Sequence, residues 1–260
     1  MKNNPFENHS VEYLSATQIN EFIANPARWI LWQTGFRDQF GNPAMWRGIA
    51  VDQTITESLE NTDLSVEECC DIAQIKFQIE HQMAQDLNIP VDETKLLKEE
   101  NRLNKFIEAA VPYFREIGKP NSSQQRIELR FPELPIPIIG YTDLQYDGIV
   151  RDIKTTDRLP KEIPSGTKRQ LAIYAAAENA QPIVDYVYVT TKLCEVKTVT
   201  IDEQTVTNSL NEVRRACQNI MNLLSYSSDI HEVASLVFPN FDDWRWSKDE
   251  IIEAKKIWRI

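Results

Sequence analysis

Three side chains in the segment IIGYTDLQYDGIVRDIKTT, residues 138–156, could do chemistry together: Asp143, Asp152 and Lys154. Asp147-Gly148, between two apolar-rich runs, signals a two-residue type I′ turn, because both central positions need positive φ and these residues tolerate it. That turn sets Asp143 opposite Asp152 and Tyr141 opposite Lys154. Side chains alternate along a strand, so Asp152 and Lys154 share a face, and Asp143 joins them from the neighbouring strand. Directly opposed residues have Cβ atoms about 4.5–5.5 Å apart, where like charges destabilise a sheet unless something neutralises them. A divalent cation would do so. Two carboxylates without thiol or imidazole suit a hard ion, so Mg²⁺ or Mn²⁺ is expected before zinc. A metal held by the two aspartates can activate a water and polarise a phosphoryl oxygen, while Lys154 orients the water or stabilises transition-state charge. The chemistry this set predicts is phosphodiester hydrolysis.

An acid two residues before a lysine also occurs at Glu93/Lys95, Glu195/Lys197 and Glu253/Lys255. The first and last lie in stretches of helical periodicity, where such pairs form a solvated face. Glu195 has Asp185 upstream on a probable strand, but no tight-turn signal opposes the two, and KLCEVKTVT reads as an exposed edge strand. Ile138, Ile139, Ile149, Val150 and Ile153 instead argue that the 143/152/154 set is buried.

GYTDL followed by RDIKTT resembles the PD-(D/E)XK nuclease superfamily, with Asp143 matching the first acid, Asp152 the second and Lys154 the lysine. RQLAIYAAA adds Gln170 and Tyr174 in a Gln-x-x-x-Tyr arrangement, similar to the helix after the catalytic hairpin in RecB-like exonuclease domains. At i and i+4 both share one helix face and could point at the metal and the scissile phosphate. YLSATQINEFIANPARWILW resembles the opening helix pair of that branch. Its members then usually show a glycine followed four residues later by a metal-ligating histidine; this chain has Gly48 and Asp52 instead. An acid there resembles lambda-exonuclease-like viral recombination nucleases, and a carboxylate suits Mg²⁺. The resemblance thus implies Asp143, Asp152, Asp52 and the Ile153 carbonyl as ligands, with Lys154 positioning water and Gln170 and Tyr174 supporting the lysine or the phosphate. Glu128, in RIELRF, is a candidate second-metal or outer ligand or else a solvent-facing glutamate.

With 260 residues and a net charge of −11, the chain can bury a sizeable core and cannot coat nucleic acid through its whole surface. Residues 126–169, however, carry eight basic side chains against seven acidic ones, three of the latter being Glu128, Asp143 and Asp152. A basic rim confining DNA to one groove and ordinary surface mixing both fit this pattern. Arg158, Lys161, Lys168 and Arg169 are candidate DNA contacts, with Arg47 as a further phosphate anchor. Trp29, Trp32 and Trp46 could stack on unpaired bases, although aromatics at helical spacing are usually core. Cys69, Cys70, Cys194 and Cys217 lack metal-site spacing, and Cys69 and Cys70 read as reduced; the iron–sulfur nucleases within the resembled superfamily place one cysteine near the N-terminal Pro step and three near the C-terminus, whereas here Asn25 precedes Pro26 and no cysteine follows Cys217, so the resemblance implies no cluster. No apolar run can span a bilayer and the first residues lack an apolar signal region, from which a cytoplasmic location is expected.

To position these residues, the sequence predicts a loose polar arm over 1–12 and helices capped at Ser15, opened by Pro26 and running over 44–60. A Ser65/Glu68 capping box starts a helix to about Leu87, and another spans Thr94 to Ile117. Strands are expected at 125–131, 137–146, 149–156, 183–191 and 195–201, with PSGT (164–167) as a mobile loop beside the site. Helices over 203–224 and from Ser247 follow. The order predicts one α/β domain with a restriction-endonuclease-like core: a central mixed sheet flanked by helices, with an N-terminal helical wrap. Its parts would be a helical segment over 1–120, a catalytic core over 121–225 and a C-terminal helical segment over 226–260. The function expected is a metal-dependent DNA nuclease, foremost an exonuclease in repair, recombination or viral DNA processing. The alternatives are an endonuclease on the same fold and a non-catalytic subunit that binds DNA or a recombination or replication partner.

Overall fold

The computed structural model describes residues 4–37 and 41–260. Five strands form one sheet in the order β1-β2-β3-β4-β5: Ser122–Leu129, Ile138–Tyr146, Ile149–Thr156, Gln181–Val189 and Cys194–Thr200. All neighbours are antiparallel except β3 and β4, which run parallel because the helix α7 (Ser165–Glu178) crosses between them. Strand β3, with Asp152 and Lys154, is therefore central and paired on both sides.

Alternation along the strands feeds two cores. Val150, Val184 and Tyr186 join Leu171 and Tyr174 of α7 and Val213 and Ile220 of α8 (Glu203–Leu224). Leu144, Ile153, Val187 and Val189 join helices α4 (Pro43–Glu60), α5 (Val66–Asp86) and α6 (Glu93–Ile117). Helices thus cover both faces, which is the mixed-sheet α/β architecture expected from the sequence. Ser65 and Glu68 form both bonds of the predicted capping box, and Ser15 caps α2 (Ala16–Ala24).

The expected loose arm is instead a structured lead-in. A single turn, α1 (Pro5–Asn8), buries Phe6, while Val11 and Leu14 join the same core. Leu14 exchanges backbone bonds with Pro137 and Ile139 at the start of β2. The apolar residues among polar neighbours account for the difference; residues 1–3 of the arm lie outside the described residues. PSGT is not a loop either: Ser165 and Gly166 open α7, Lys168 N–H donates to the Pro164 carbonyl, and Gly166 packs against Asn20. Helix α3 (Pro26–Gln33) packs with α10 (Lys248–Trp258), and the short α9 (Ile230–Ala234) between α8 and α10 had no periodic signal to reveal it. Among the described residues no helix is long and apolar enough to cross a membrane.

Candidate active site

The hairpin turns at Asp147-Gly148, as the sequence predicts, but not as the expected type I′ turn: only Gly148 has positive φ, and Asp147 keeps a negative one, which costs a residue with a side chain less. Gly148 has φ +67°, and Tyr146↔Ile149, Gln145↔Val150 and Leu144↔Arg151 are in the expected register. The ladder then stops. Asp143 does not form the next rung with Asp152, and the β1–β2 ladder also omits its Gln124/Asp143 step. The Asp143 carboxylate turns into the gap, where Oδ2 accepts the Ile153 N–H at 2.6 Å. Two opposed carboxylates repel, and taking a backbone donor is the outcome.

Lys154 lies on the same face as the fully buried Asp152, with Nζ 2.9 Å from Oδ1 and 2.8 Å from Oδ2. It also donates to Gln170 Oε1 at 3.4 Å, and Gln170 Nε2 donates to the Tyr174 hydroxyl at 2.8 Å. The i, i+4 pair on α7 shares one face, as its spacing implied, and that face meets the hairpin. Gly140 makes the approach close: a Cβ there would lie 2.7 Å from Tyr174 Cε1. Asp52 arrives from α4, whose Gly48 packs near Thr155 at the end of β3. Its Oδ2 accepts from Gln124 Nε2 at 2.6 Å.

These carboxyls oppose one another's ionisation. Burial, then the charge of Asp152, pushes Asp52 up to about 6. Burial, then the charges of Asp152 and Asp52, raises Asp143 well above the usual carboxyl range. Burial also raises Asp152, against the pull of Lys154. For Lys154 burial works against the ammonium, but Asp152 and Asp143 together outweigh it and hold the pKa above its ordinary value. Burial pushes Tyr174 up to about 12, so its phenol stays neutral.

Among the described residues no three His, Cys, Asp or Glu side chains form a ready-made metal cage. The donor set nevertheless fits a hard cation: Asp52 Oδ1 is buried without a hydrogen-bond partner among the described residues, Asp152 Oδ2 meets the Lys154 ammonium as an ion pair, and carboxyl oxygens are the atoms on offer. Ile153 contributes its N–H to Asp143, and its carbonyl remains a proposed ligand.

The remaining candidates have other surroundings. Glu128 does not join the acids; it is held by Arg130 Nε at 2.7 Å and Arg126 Nη2 at 3.3 Å, which lower its pKa. Arg47 is buried beneath the site, its guanidinium committed to Glu99 and to Thr155 and lying over Phe106, so it presents no free fork to a phosphate. Arg169 is tied to Asn20 and Glu212. Arg158, Lys161 and Lys168 have no side-chain partner among the described residues, and they flank the connection from Lys154 to Gln170. Trp29 and Trp46 are core, and Trp32 lies between Arg28 and Arg37. Asp185 is buried on the opposite face of the sheet, where Arg151 and Thr198 satisfy it. Gln124 and Tyr186 went unnoticed in the sequence. Tyr186 pairs with Lys154 across β3 and β4, and its buried hydroxyl has no hydrogen-bond partner among the described residues. That pairing depends on the crossover, which no local signal encodes.

The family model for the PD-(D/E)XK nuclease superfamily matches residues 13–232. The chain belongs to the PD-(D/E)XK nuclease superfamily. Membership carries metal-dependent nuclease chemistry with DNA as the substrate class, and the matched span contains the hairpin, α4 and α7. No curated protein matches this chain. Among solved structures, one titled "Crystal structure of SSO0001" is similar, with 16% identity, 65% of this chain and 84% of that chain covered, and a TM-score of 0.30.

Proposed function

We propose that this PD-(D/E)XK protein is a Mg²⁺- or Mn²⁺-dependent deoxyribonuclease of the RecB-like and viral-exonuclease neighbourhood, acting from DNA ends in repair, recombination or viral DNA processing. The observation that carries the reading is the contact chain Asp152–Lys154–Gln170–Tyr174 beside Asp143 and Asp52. Asp143, Asp152, Asp52 and the Ile153 carbonyl would hold the ion, which when bound supplies a more acidic water and polarisation of a phosphoryl oxygen. Lys154, kept protonated by its neighbours, donates to the attacking water or to the charge that develops on the phosphoryl oxygens. Gln170 holds the ammonium through its amide oxygen, and Tyr174 fixes the amide through its hydroxyl. The Ile153 N–H keeps Asp143 turned into the gap between the strands. Arg158, Lys161 and Lys168 would meet the DNA backbone. We place the chain among members without an iron–sulfur cluster, because Cys69 and Cys70 lie in one core, Cys217 in the other and Cys194 at the edge strand.

The test compares linear and covalently closed circular DNA in Mg²⁺, Mn²⁺ or EDTA, beside Asp152→Ala. Metal-dependent loss of the linear form alone, abolished by the substitution, is expected. Equal cutting of circles would make the protein an endonuclease, and intact DNA that is nevertheless bound would make it a non-catalytic subunit.

A further inference from the structure

We infer that Gln124 is a positioning residue that fixes the Asp52 carboxylate for the cation, a role that rests on Asp52 being a ligand as proposed above. Among the described residues, five non-glycine residues have positive φ: Ser10, Asn88, Asn179, Arg259 and Gln124. Four lie at or just beyond helix C-termini, where a left-handed residue satisfies the last carbonyls. Gln124 alone lies inside a strand, with φ +51°. That conformation costs a long side chain free energy, and such backbone outliers persist where the surroundings hold them, commonly at functional sites.

Packing does not demand it, because Gln124 is exposed. What the conformation accompanies is the missing Gln124/Asp143 rung and the 2.6 Å bond from Nε2 to Asp52 Oδ2. One distortion thus opens the sheet beside Asp143 and sends an amide across to α4. Capping Oδ2 fixes the carboxylate plane and leaves Oδ1, buried and without a donor, as the free lone-pair site. An amide suits this role because it donates without adding charge to a cluster already carrying three acids, and it does not compete with them as an ionised ligand.

The inference is tested by calorimetric Mn²⁺ titration of the DNA-free protein, comparing wild type, Gln124→Ala, Asp52→Ala, the double variant and Asp152→Ala. Gln124→Ala is expected to weaken Mn²⁺ binding about 10–100-fold and to have no further effect once Asp52 is alanine. That non-additivity distinguishes positioning from a general structural contribution. Gln124→Gly, which accepts positive φ without strain, should lose affinity to the same degree, which guards against a folding defect in the alanine variant. Unchanged affinity in both Gln124 variants, or an equal loss with and without Asp52, overturns the inference while leaving the proposed metal site intact. If wild type binds no Mn²⁺, or Asp152→Ala binds it equally well, the proposed site itself fails and the inference with it.

Discussion

Asp52 is a carboxyl whose ionisation the fold resists. Its folded pKa, about 6, lies above the ordinary 3.8, so the native chain holds the proton more tightly than the unfolded chain does. Stability is therefore present at low pH and is lost as pH rises through the folded value, by about 1–3 kcal/mol. At pH 7.5 without divalent ions, Asp52→Asn is expected to melt above wild type, by roughly 2–8 °C, and the gap should shrink as pH falls through about 6 and close only below the unfolded value of 3.8. A thermal melt series across pH decides this; an Asn variant that melts lower at pH 7.5 would mean that the charge is not a burden. The role proposed for Lys154 is in the reaction, beyond its ion pair with Asp152. Lys154→Met should reduce single-turnover hydrolysis about 10²–10³-fold with KM little changed, because its ammonium acts on charge that develops in the transition state. A change in KM alone would recast Lys154 as a DNA contact.

At the scale of elements, the site depends on how closely α7 approaches β2. Gly140 makes room for the Tyr174 ring, and Gly140→Ala would put a methyl 2.7 Å from Cε1. Overpacking of this kind costs about 1–3 kcal/mol, and the displaced ring would carry Gln170 away from Lys154. Urea denaturation should show the loss, and a Tyr174→Leu background should reduce it; an unchanged midpoint in Gly140→Ala would show that α7 yields freely. Local signals specified much of this layer. Asp147-Gly148 placed the turn, i, i+4 spacing placed Gln170 and Tyr174 together, and capping residues placed the helix starts. They failed for PSGT, where turn-forming residues begin a helix because the backbone of Pro164 and Lys168 closes the first turn. They failed also for α1, whose buried Phe6 has neither neighbour nor period to announce it.

Across the whole molecule, charge is sorted by tertiary contact. Eight basic side chains surround the motif in sequence. Arg126 and Arg130 are paired with Glu128, Arg151 with Asp185, Lys154 with Asp152 and Arg169 with Glu212. Arg158, Lys161 and Lys168, which have no ion-pair partner among the described residues, are the proposed contacts for a phosphate backbone, on a body whose net charge is −11. Replacing all three by Gln should weaken duplex DNA binding and reduce the slope of log K against log salt by up to about 3, each phosphate contact contributing about 0.9. An unchanged slope would place the DNA path elsewhere.

The sequence by itself determined the candidate triplet Asp143, Asp152 and Lys154, the hairpin register as far as Leu144 and Arg151, and the α/β class, because these rest on alternation, turn position and helical spacing within short segments. Only the tertiary structure decided which charges are free. It buried Arg47 against Glu99, paired Glu128 with its strand neighbours, and sent Asp185 to the far face. It alone brought Asp52 and Gln124 together, 72 residues apart in the chain. Whether a polar side chain is satisfied or left facing a site depends on partners contributed by distant elements, and local spacing carries no record of them.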